Sequence, residues 1–262
     1  MRPQVALAFI LFSYSISFVT CGERIARVHP NSKKKDPPKD LQDSKQGVKM
    51  GIQRADCDNG RKNLEIDYDG SPVEYTCYTP KDPYPLPGET ELPPKSECVK
   101  IKGSYAPRHY CMNYRITYDH YLPTHEGHRP LWGIYGEYKY IPPQRWLHNV
   151  EHGALVMLYH PCTQPALVDK LRDIVKGCLR KYIITAYRNL TQERPLALVA
   201  WRCRYEMSTV NKKDVIKFIK ARALKAPEAR YPKEGHYRYM LLEQSKAPPG
   251  SDIRDSVVCP KP

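Results

Sequence analysis

Signatures of several common enzyme classes are missing from this sequence. Its 262 residues contain no G-x-S-x-G nucleophile elbow, no P-loop and no dinucleotide-binding fingerprint. There is also no C-x-x-C pair, the spacing that most zinc–thiolate sites use, and no repeat with a period of about 20 to 50 residues. These absences argue against an α/β-type serine hydrolase, a P-loop or Rossmann enzyme, a zinc–thiolate module and a solenoid.

Beyond its N-terminus the chain has no apolar run approaching the roughly 18 to 20 residues that a membrane span requires. The one long apolar stretch, Val5–Val19, follows a single charged residue, Arg2, and leads into small residues that end at Gly22. This layout is typical of a secretory signal peptide over residues 1–22. We predict a cleaved product that is secreted or lies in the lumen of the secretory pathway. An uncleaved anchor fits less well, because the run is short for a span and contains several serines.

Removal of the signal peptide leaves an even number of cysteines, eight. In an exported chain an even number indicates disulfide bonds, and four bonds allow about 105 pairings that the sequence does not rank. The predicted disulfide cysteines are Cys57, Cys77, Cys98, Cys111, Cys162, Cys178, Cys203 and Cys259. Oxidation would leave no free thiolate, which disfavours a cysteine–histidine nucleophile.

One N-x-[ST] sequon is present, Asn189-Leu190-Thr191, and it lies between two apolar runs. A signal peptide would carry it into the lumen, where such sequons are glycosylated. We predict an exposed loop here with a glycan on Asn189.

Basic side chains outnumber acidic ones and give a formal net charge of +14 at pH 7. Such a charge attracts acidic glycans, anionic lipid headgroups or nucleic acid, although a basic solvated surface is the simpler explanation. The only run of three basic residues is Lys33–Lys35, and an exported protein meets little nucleic acid. We therefore expect an unidentified protein or an acidic glycan as the partner, and no nucleic acid.

Composition divides the mature chain into an arm, one domain and a tail. Residues 23–56 contain few large apolar side chains, which predicts a flexible basic arm. Residues 57–240 predict a single domain, with a Cys- and Pro-rich irregular portion at 57–124 and a more regular core at 125–230. Residues 241–262 form a polar tail.

Periodicity and capping signals predict the elements of the core. In chain order these are a buried strand at Ala154–Tyr159, a helix capped by Thr163 and ended by Gly177, strands at Tyr182–Tyr187 and Leu196–Trp201, and a helix capped by Asn211 and ended by Pro227. This order predicts an α+β fold, stabilised by disulfides, with helices on one face of a mixed sheet.

The segment most suggestive of a site is His148-Asn149-Val150-Glu151-His152-Gly153, which reads H-x-x-E-H-G. Seven of the nine histidines lie between His109 and His160. If residues 144–152 form a short helix, His148 and His152 lie about one turn apart with Glu151 beside them. This is the two-histidine clamp that H-x-x-E-H metallopeptidases use to bind zinc.

A metal ion, for which zinc is the first choice, needs a third protein ligand. The local candidates are His125, His128 and His160. The ion would activate water while Glu151 acts as the catalytic base, so a metal-dependent hydrolase is the alternative function. Against this, the helix is shorter than those of metallopeptidases, and no distant carboxylate stands out as a ligand.

Two interpretations of the same segment need no metal. In the first, His148 bonds to a backbone carbonyl and Glu151 pairs with Arg145 or Arg129, forming a buried polar network. In the second, the histidines sense the pH of late secretory and endosomal compartments.

Several motifs resemble those of known families. One set is similar to the family of animal tumour protein p53-inducible protein 13 over residues 155–220, and comprises Leu158–Cys162, Gln192–Leu196, Ala200-Trp201 and Glu206-Met207. Another set resembles a bacterial domain-of-unknown-function family numbered 3105, and comprises Trp132–Glu137, the H-x-x-E-H-G segment, Ala200-Trp201 and Ala226–Glu228.

The first resemblance implies a role in restraining cell growth, and the second implies no particular activity. This chain differs from the animal family in two respects, since it lacks a C-terminal membrane span and keeps H-x-x-E-H-G. The hypothesis that follows is a secreted or luminal, disulfide-bonded interaction or binding protein.

Overall fold

A mixed sheet of seven strands lies at the centre of the molecule. The structure, a computed structural model, describes residues 36–78, 84, 92–230 and 233–261. The predicted signal peptide lies outside these residues. The helices and strands are β1 Gln42–Asp43, β2 Gly47–Val48, β3 Lys95–Cys98, β4 Gly136–Tyr138, α1 Pro143–Glu151, β5 Leu155–Tyr159, α2 Pro165–Lys176, β6 Tyr182–Ala186, β7 Leu196–Ala200, β8 Cys203–Met207, α3 Lys212–Arg222 and β9 Leu241–Gln244.

The strand order in the large sheet is β3-β8-β7-β5-β6-β4-β9. Strand β6 pairs in parallel with β5 and β4, whereas the other pairs are antiparallel. The apolar run that predicts a buried strand is β5, the central strand, where Leu155, Val156, Met157 and Leu158 are fully buried. A continuous apolar sequence fits this place because both faces of β5 are covered.

Alternate residues of β5 face different helices. Leu155 and Met157 share a core with α2 and α3, while Val156 and Leu158 share a second core with α1. The α+β fold with a mixed sheet is therefore confirmed. The two longer helices lie together on one face, as predicted, and the short α1 covers the other.

Helix ends follow the predicted signals only in part. The Asn211 side chain caps α3 by accepting the backbone N–H groups of Lys213 and Asp214. Thr163 does not cap α2: the N-cap position is Gln164, and the Thr163 hydroxyl donates to the backbone carbonyl of His160. Helix α3 ends at Arg222, well before Pro227, and a left-handed Leu224 (φ 60°) follows.

Strand β8 lies where no strand was predicted. Its sequence, Cys-Arg-Tyr-Glu-Met, looks half polar, yet all five residues are buried. Arg204 reaches its charge partner Glu97 on β3, and Glu206 accepts a hydrogen bond from Tyr121. These contacts offset part of the cost of burying the two charged side chains, although Arg204 Nε and Glu206 Oε1 have no hydrogen-bond partner within the described residues.

All eight predicted cysteines form disulfides, which pair Cys57 with Cys111, Cys77 with Cys162, Cys98 with Cys203 and Cys178 with Cys259. The Cys57–Cys111 bond lies within the irregular N-terminal portion, and the Cys77–Cys162 and Cys98–Cys203 bonds join that portion to the more regular core. In this portion short 3₁₀ turns and loops replace long regular elements, as expected. Four disulfides indicate an oxidising extracellular or secretory environment.

The described part of the predicted arm and the predicted polar tail both contain regular structure. Within the described part of the arm, strands β1 and β2 form a hairpin, and Leu41 and Val48 are buried beside the Cys57–Cys111 disulfide. In the tail, β9 adds an antiparallel strand to β4. Ordering these segments costs conformational entropy, and their composition suggests too little apolar burial to offset it. A few buried side chains and a nearby disulfide provide the missing stabilisation. No helix in the described ranges is long and apolar enough to span a membrane.

Candidate metal site

The H-x-x-E-H-G segment forms the end of α1, and the predicted helix over residues 144–152 is confirmed. Pro143 occupies the first turn. Gly153 follows in the left-handed region (φ 81°), where a side chain would be strained and a Cβ would lie 2.8 Å from that of Ala229. Trp146, Leu147 and Val150 pack into the core beneath the sheet. This packing turns His148 and Glu151 towards the loops that cover α1.

Those loops bring two further histidines to the helix. His109 and His128 form an isolated parallel bridge. Together with His148 and Glu151 they form a four-residue cluster whose ligand atoms all lie within 4.8 Å of one another. None of the four residues is more than 2% exposed. We call these four residues the His/Glu cluster.

Each imidazole of the cluster is held through its Nδ1 atom. The partners are backbone carbonyl oxygens, with Nδ1–O distances of 2.8 Å from His109 to Val48, 2.9 Å from His128 to Glu126, and 2.6 Å from His148 to Arg129. A carbonyl oxygen can only accept, so each Nδ1 carries the proton. This assigns the lone pair of each neutral ring to Nε2, the atom that faces the other members of the cluster.

The carboxylate of Glu151 lies against these Nε2 atoms. Its Oε2 is 3.1 Å from Nε2 of His128 and 3.6 Å from Nε2 of His109. Its Oε1 accepts a hydrogen bond of 3.0 Å from the amide of Gln46. Within the described part of the chain, Nε2 of His109 and His148 has no hydrogen-bond partner. The cluster thus brings lone pairs and a negative charge together in a buried space.

Electrostatics favour the protonation states that a metal ion needs. Burial would raise the pKa of Glu151, but the facing imidazoles of His109 and His128 outweigh this effect and lower the pKa to about 2. Burial lowers the pKa of His128, and it lowers that of His148 well below the ordinary value, helped by the neighbouring histidines. At neutral pH the carboxylate is therefore ionised while these two imidazoles are neutral.

His152 lies beside the cluster. Its ring stacks on that of His148 with centroids 4.8 Å apart, and its Nδ1 is 3.6 Å from a carboxylate oxygen of Glu228. Burial lowers the pKa of His152 to about 3 and raises that of Glu228. The backbone N–H of Glu228 donates to the carbonyl of Glu151, so this second acid–histidine pair is attached directly to the helix end.

The predicted site residues divide into two groups. His128, His148 and Glu151 meet, and His152 is adjacent. His125 lies elsewhere, against the rings of Tyr105 and Trp201, while His160 packs on Tyr84. His109 was not among the predicted ligands. In the sequence, the one feature that could have pointed to His109 is that it is the first residue of the histidine-rich stretch.

The polar network also differs from the one predicted. His148 does bond to a backbone carbonyl, that of Arg129. Glu151 pairs with neither Arg145 nor Arg129, because Arg145 binds Asp58 and Arg129 binds Asp67 in separate buried ion pairs. The histidines are therefore the groups that face Glu151.

Fold and cluster together define a disulfide-bonded α+β domain with a buried set of three imidazoles and one carboxylate. Residues 109–235 match the model of a family described as protein of unknown function, DUF3105, which confirms that part of the predicted resemblance. The matched range contains all four cluster residues. No curated protein and no solved structure matches the chain.

Proposed function

We propose that this protein binds a divalent transition-metal ion, with zinc as the first choice, through His109, His128, His148 and Glu151. The observation that carries the proposal is the arrangement of the lone pairs. Three imidazoles anchored through Nδ1 direct Nε2 towards one carboxylate inside a space that is shielded from water. Such a set of acceptors repels itself unless a cation lies among them.

The donor set supports zinc. Nitrogen from imidazole and oxygen from carboxylate are common zinc ligands, and four protein ligands are typical of closed, structural sites. All eight described cysteines are in disulfides, so thiolates do not compete for the ion. Copper(II) is the natural competitor, since nitrogen-rich sites usually bind it more tightly than zinc.

A binding role is better supported than hydrolysis. A catalytic zinc site keeps one coordination position open for water, whereas no residue of the His/Glu cluster is more than 2% exposed. A general base works best with a pKa near the working pH, but that of Glu151 is about 2. We assign Glu151 as a ligand, with Gln46 holding its second oxygen.

The setting we infer is a protein exported through the secretory pathway. The disulfides and the apolar N-terminal run support export. Asn189 is exposed in the turn between β6 and β7, which suits glycosylation. A role in restraining cell growth rests on sequence resemblance alone and stays a prediction.

Metal analysis of protein secreted by cultured cells tests the proposal. We expect one zinc ion per chain, lost in His148→Ala and retained in His160→Ala, which removes a histidine outside the cluster. Because His148 is fully buried, Glu151→Gln provides a second variant of nearly unchanged size. Circular dichroism should show that each variant is folded.

Titration of chelator-treated protein gives the quantitative result. We expect the cluster variants to bind zinc at least about 100-fold more weakly than the wild type, since loss of even an outer partner costs 10- to 100-fold. A wild-type protein that takes up no zinc or copper, or a His148→Ala variant of unchanged affinity, would overturn the assignment.

A further inference from the structure

A separate open cleft of about 300 Å³ is lined in part by Trp201 and Arg202, the turn between β7 and β8. Its walls include the aromatic residues Tyr105 and Trp201 and the basic residues Lys102, Arg202 and Lys225. Tyr105 is half-buried and fixed by a hydrogen bond of 3.0 Å from its hydroxyl to the carbonyl of His125. We call this the basic cleft.

The charges of the basic cleft are unbalanced. Three cationic side chains line it and no carboxylate does. Arg202 is half-buried, whereas Lys102 and Lys225 are exposed, and over the ranges that the structure describes none of the three takes part in an ion pair. Such a concentration of unpaired positive charge around a concave surface attracts anions and focuses them there.

Arg202 occupies a position that disfavours it. It lies in the two-residue turn between β7 and β8 with a φ of 66°, a left-handed conformation that glycine or asparagine adopts at lower cost. Its backbone N–H donates to the carbonyl of Thr124, which fixes the turn against the neighbouring loop. The backbone of this turn is strained when arginine occupies position 202. The presence of arginine there therefore indicates that its long cationic side chain has a function.

We propose that the basic cleft binds an acidic saccharide. Its carboxylate or sulfate groups would be held by Lys102, Arg202 and Lys225, with a sugar ring against Tyr105. A cleft of about 300 Å³ has room for a short oligosaccharide segment. This site shares no residue with the His/Glu cluster and does not require a bound metal.

Compartment and surface favour a saccharide over other polyanions. The disulfides indicate an oxidising extracellular or secretory setting, where nucleic acid is scarce. Insertion into a membrane surface uses apolar side chains beside the basic ones. Among the described residues, the large apolar side chains that are well exposed lie outside the cleft.

Calorimetry with a sulfated uronate-containing hexasaccharide tests the proposal, at about 0.15 M ionic strength so that diffuse attraction is screened. The test variant is Arg202→Gly combined with Lys225→Ala. Glycine suits the left-handed turn, so the variant should fold. The matched control is Lys217→Ala combined with Lys220→Ala, which removes the same charge from the exposed face of α3.

We expect the cleft variant to bind at least about tenfold more weakly, as expected for loss of charge-assisted hydrogen bonds, and the α3 variant to bind nearly as the wild type does. The wild-type protein should bind the saccharide equally well before and after treatment with a chelator, whether or not the His/Glu cluster binds a metal ion. Equal losses in both variants would show a diffuse basic surface. Absence of binding, or tighter binding of an oligonucleotide or a phosphopeptide of equal charge, would also overturn the proposal.

Discussion

At the scale of single residues, the geometry of the His/Glu cluster depends on groups that would not touch the ion. Backbone carbonyls orient the imidazoles, and Gln46 orients Glu151 through a 3.0 Å hydrogen bond to Oε1. Gln46 lies in the β1–β2 hairpin, so a segment remote in sequence sets the direction of the Glu151 carboxylate. Outer contacts of this kind commonly control both ligand orientation and affinity.

Replacing Gln46 with alanine should therefore weaken zinc binding by about 10- to 100-fold without unfolding the protein. The measurement is competitive titration against a zinc-binding dye. Gln42→Ala is the matched control, because Gln42 is exposed in the same hairpin and its side-chain amide donates to the carbonyl of Pro37 and not to the His/Glu cluster. Equal affinities of the two variants would show that Gln46 does not orient the ligand.

At the scale of elements, strand β9 is the part of the predicted tail that completes the sheet. Among the described strands it pairs with β4 alone, and its approach depends on Gly136, where a Cβ would overlap the backbone carbonyl of Glu243. Three of its four residues are exposed, so backbone pairing rather than side-chain burial holds the strand. The register of β9 should thus be sensitive to any added atom at this position.

Gly136→Ala should destabilise the protein by about 2 kcal/mol or more, because an overlap with backbone cannot be relieved by a rotamer change. Gly103→Ala, where a Cβ meets no atom within 4 Å, should change stability by less than about 0.5 kcal/mol. Urea unfolding of both variants gives the comparison. A Gly136→Ala protein as stable as the control would mean that β9 pairs with β4 less closely than described.

At the scale of the whole molecule, the buried histidines should make the metal-free protein sensitive to acid. The folded-state pKa values of His148 and His152 lie below the unfolded value of about 6.5, that of His152 at about 3. Below pH 6.5 or so the unfolded chain takes up protons that the folded chain does not, so stability falls as the pH falls. Glu151, with its pKa lowered to about 2, adds to the loss below about pH 4.5.

We expect the free energy of unfolding to drop by about 1 kcal/mol per buried histidine between about pH 6.5 and 5.5. Urea unfolding of chelator-treated protein over this range measures it. His148→Gln should show a smaller drop than the wild type. A stability that is flat from pH 7 to 5 would contradict the depressed pKa values.

Local patterns in the sequence were sufficient for most of the core. The apolar run of β5, the proline and glycine that bound α1, and the Asn211 cap of α3 are signals carried by neighbouring residues. Strand β8 was missed because Arg204 and Glu206 give it a polar composition. Their partners, Glu97 and Tyr121, come from distant parts of the chain and cannot be inferred from periodicity.

The candidate site shows the same limit. His148, Glu151 and His128 stood out through spacing and proximity in sequence, but His109 did not. Its position depends on the bridge to His128 and on the Cys57–Cys111 disulfide, both of which are long-range contacts. The residues around His109 show no pattern that predicts these contacts, so its place in the His/Glu cluster can be recognised only in the folded structure.

The disulfide beside His109 has a consequence for how such a protein matures. Cys111 is two positions along the chain from His109, and its bond to Cys57 anchors that loop over α1. If the His/Glu cluster binds a metal ion as we propose, a newly made chain without this bond would hold His109 less firmly over α1, so that metal binding would follow thiol oxidation. Loading would then be a late event in biogenesis, completed only by molecules that have already passed oxidative folding.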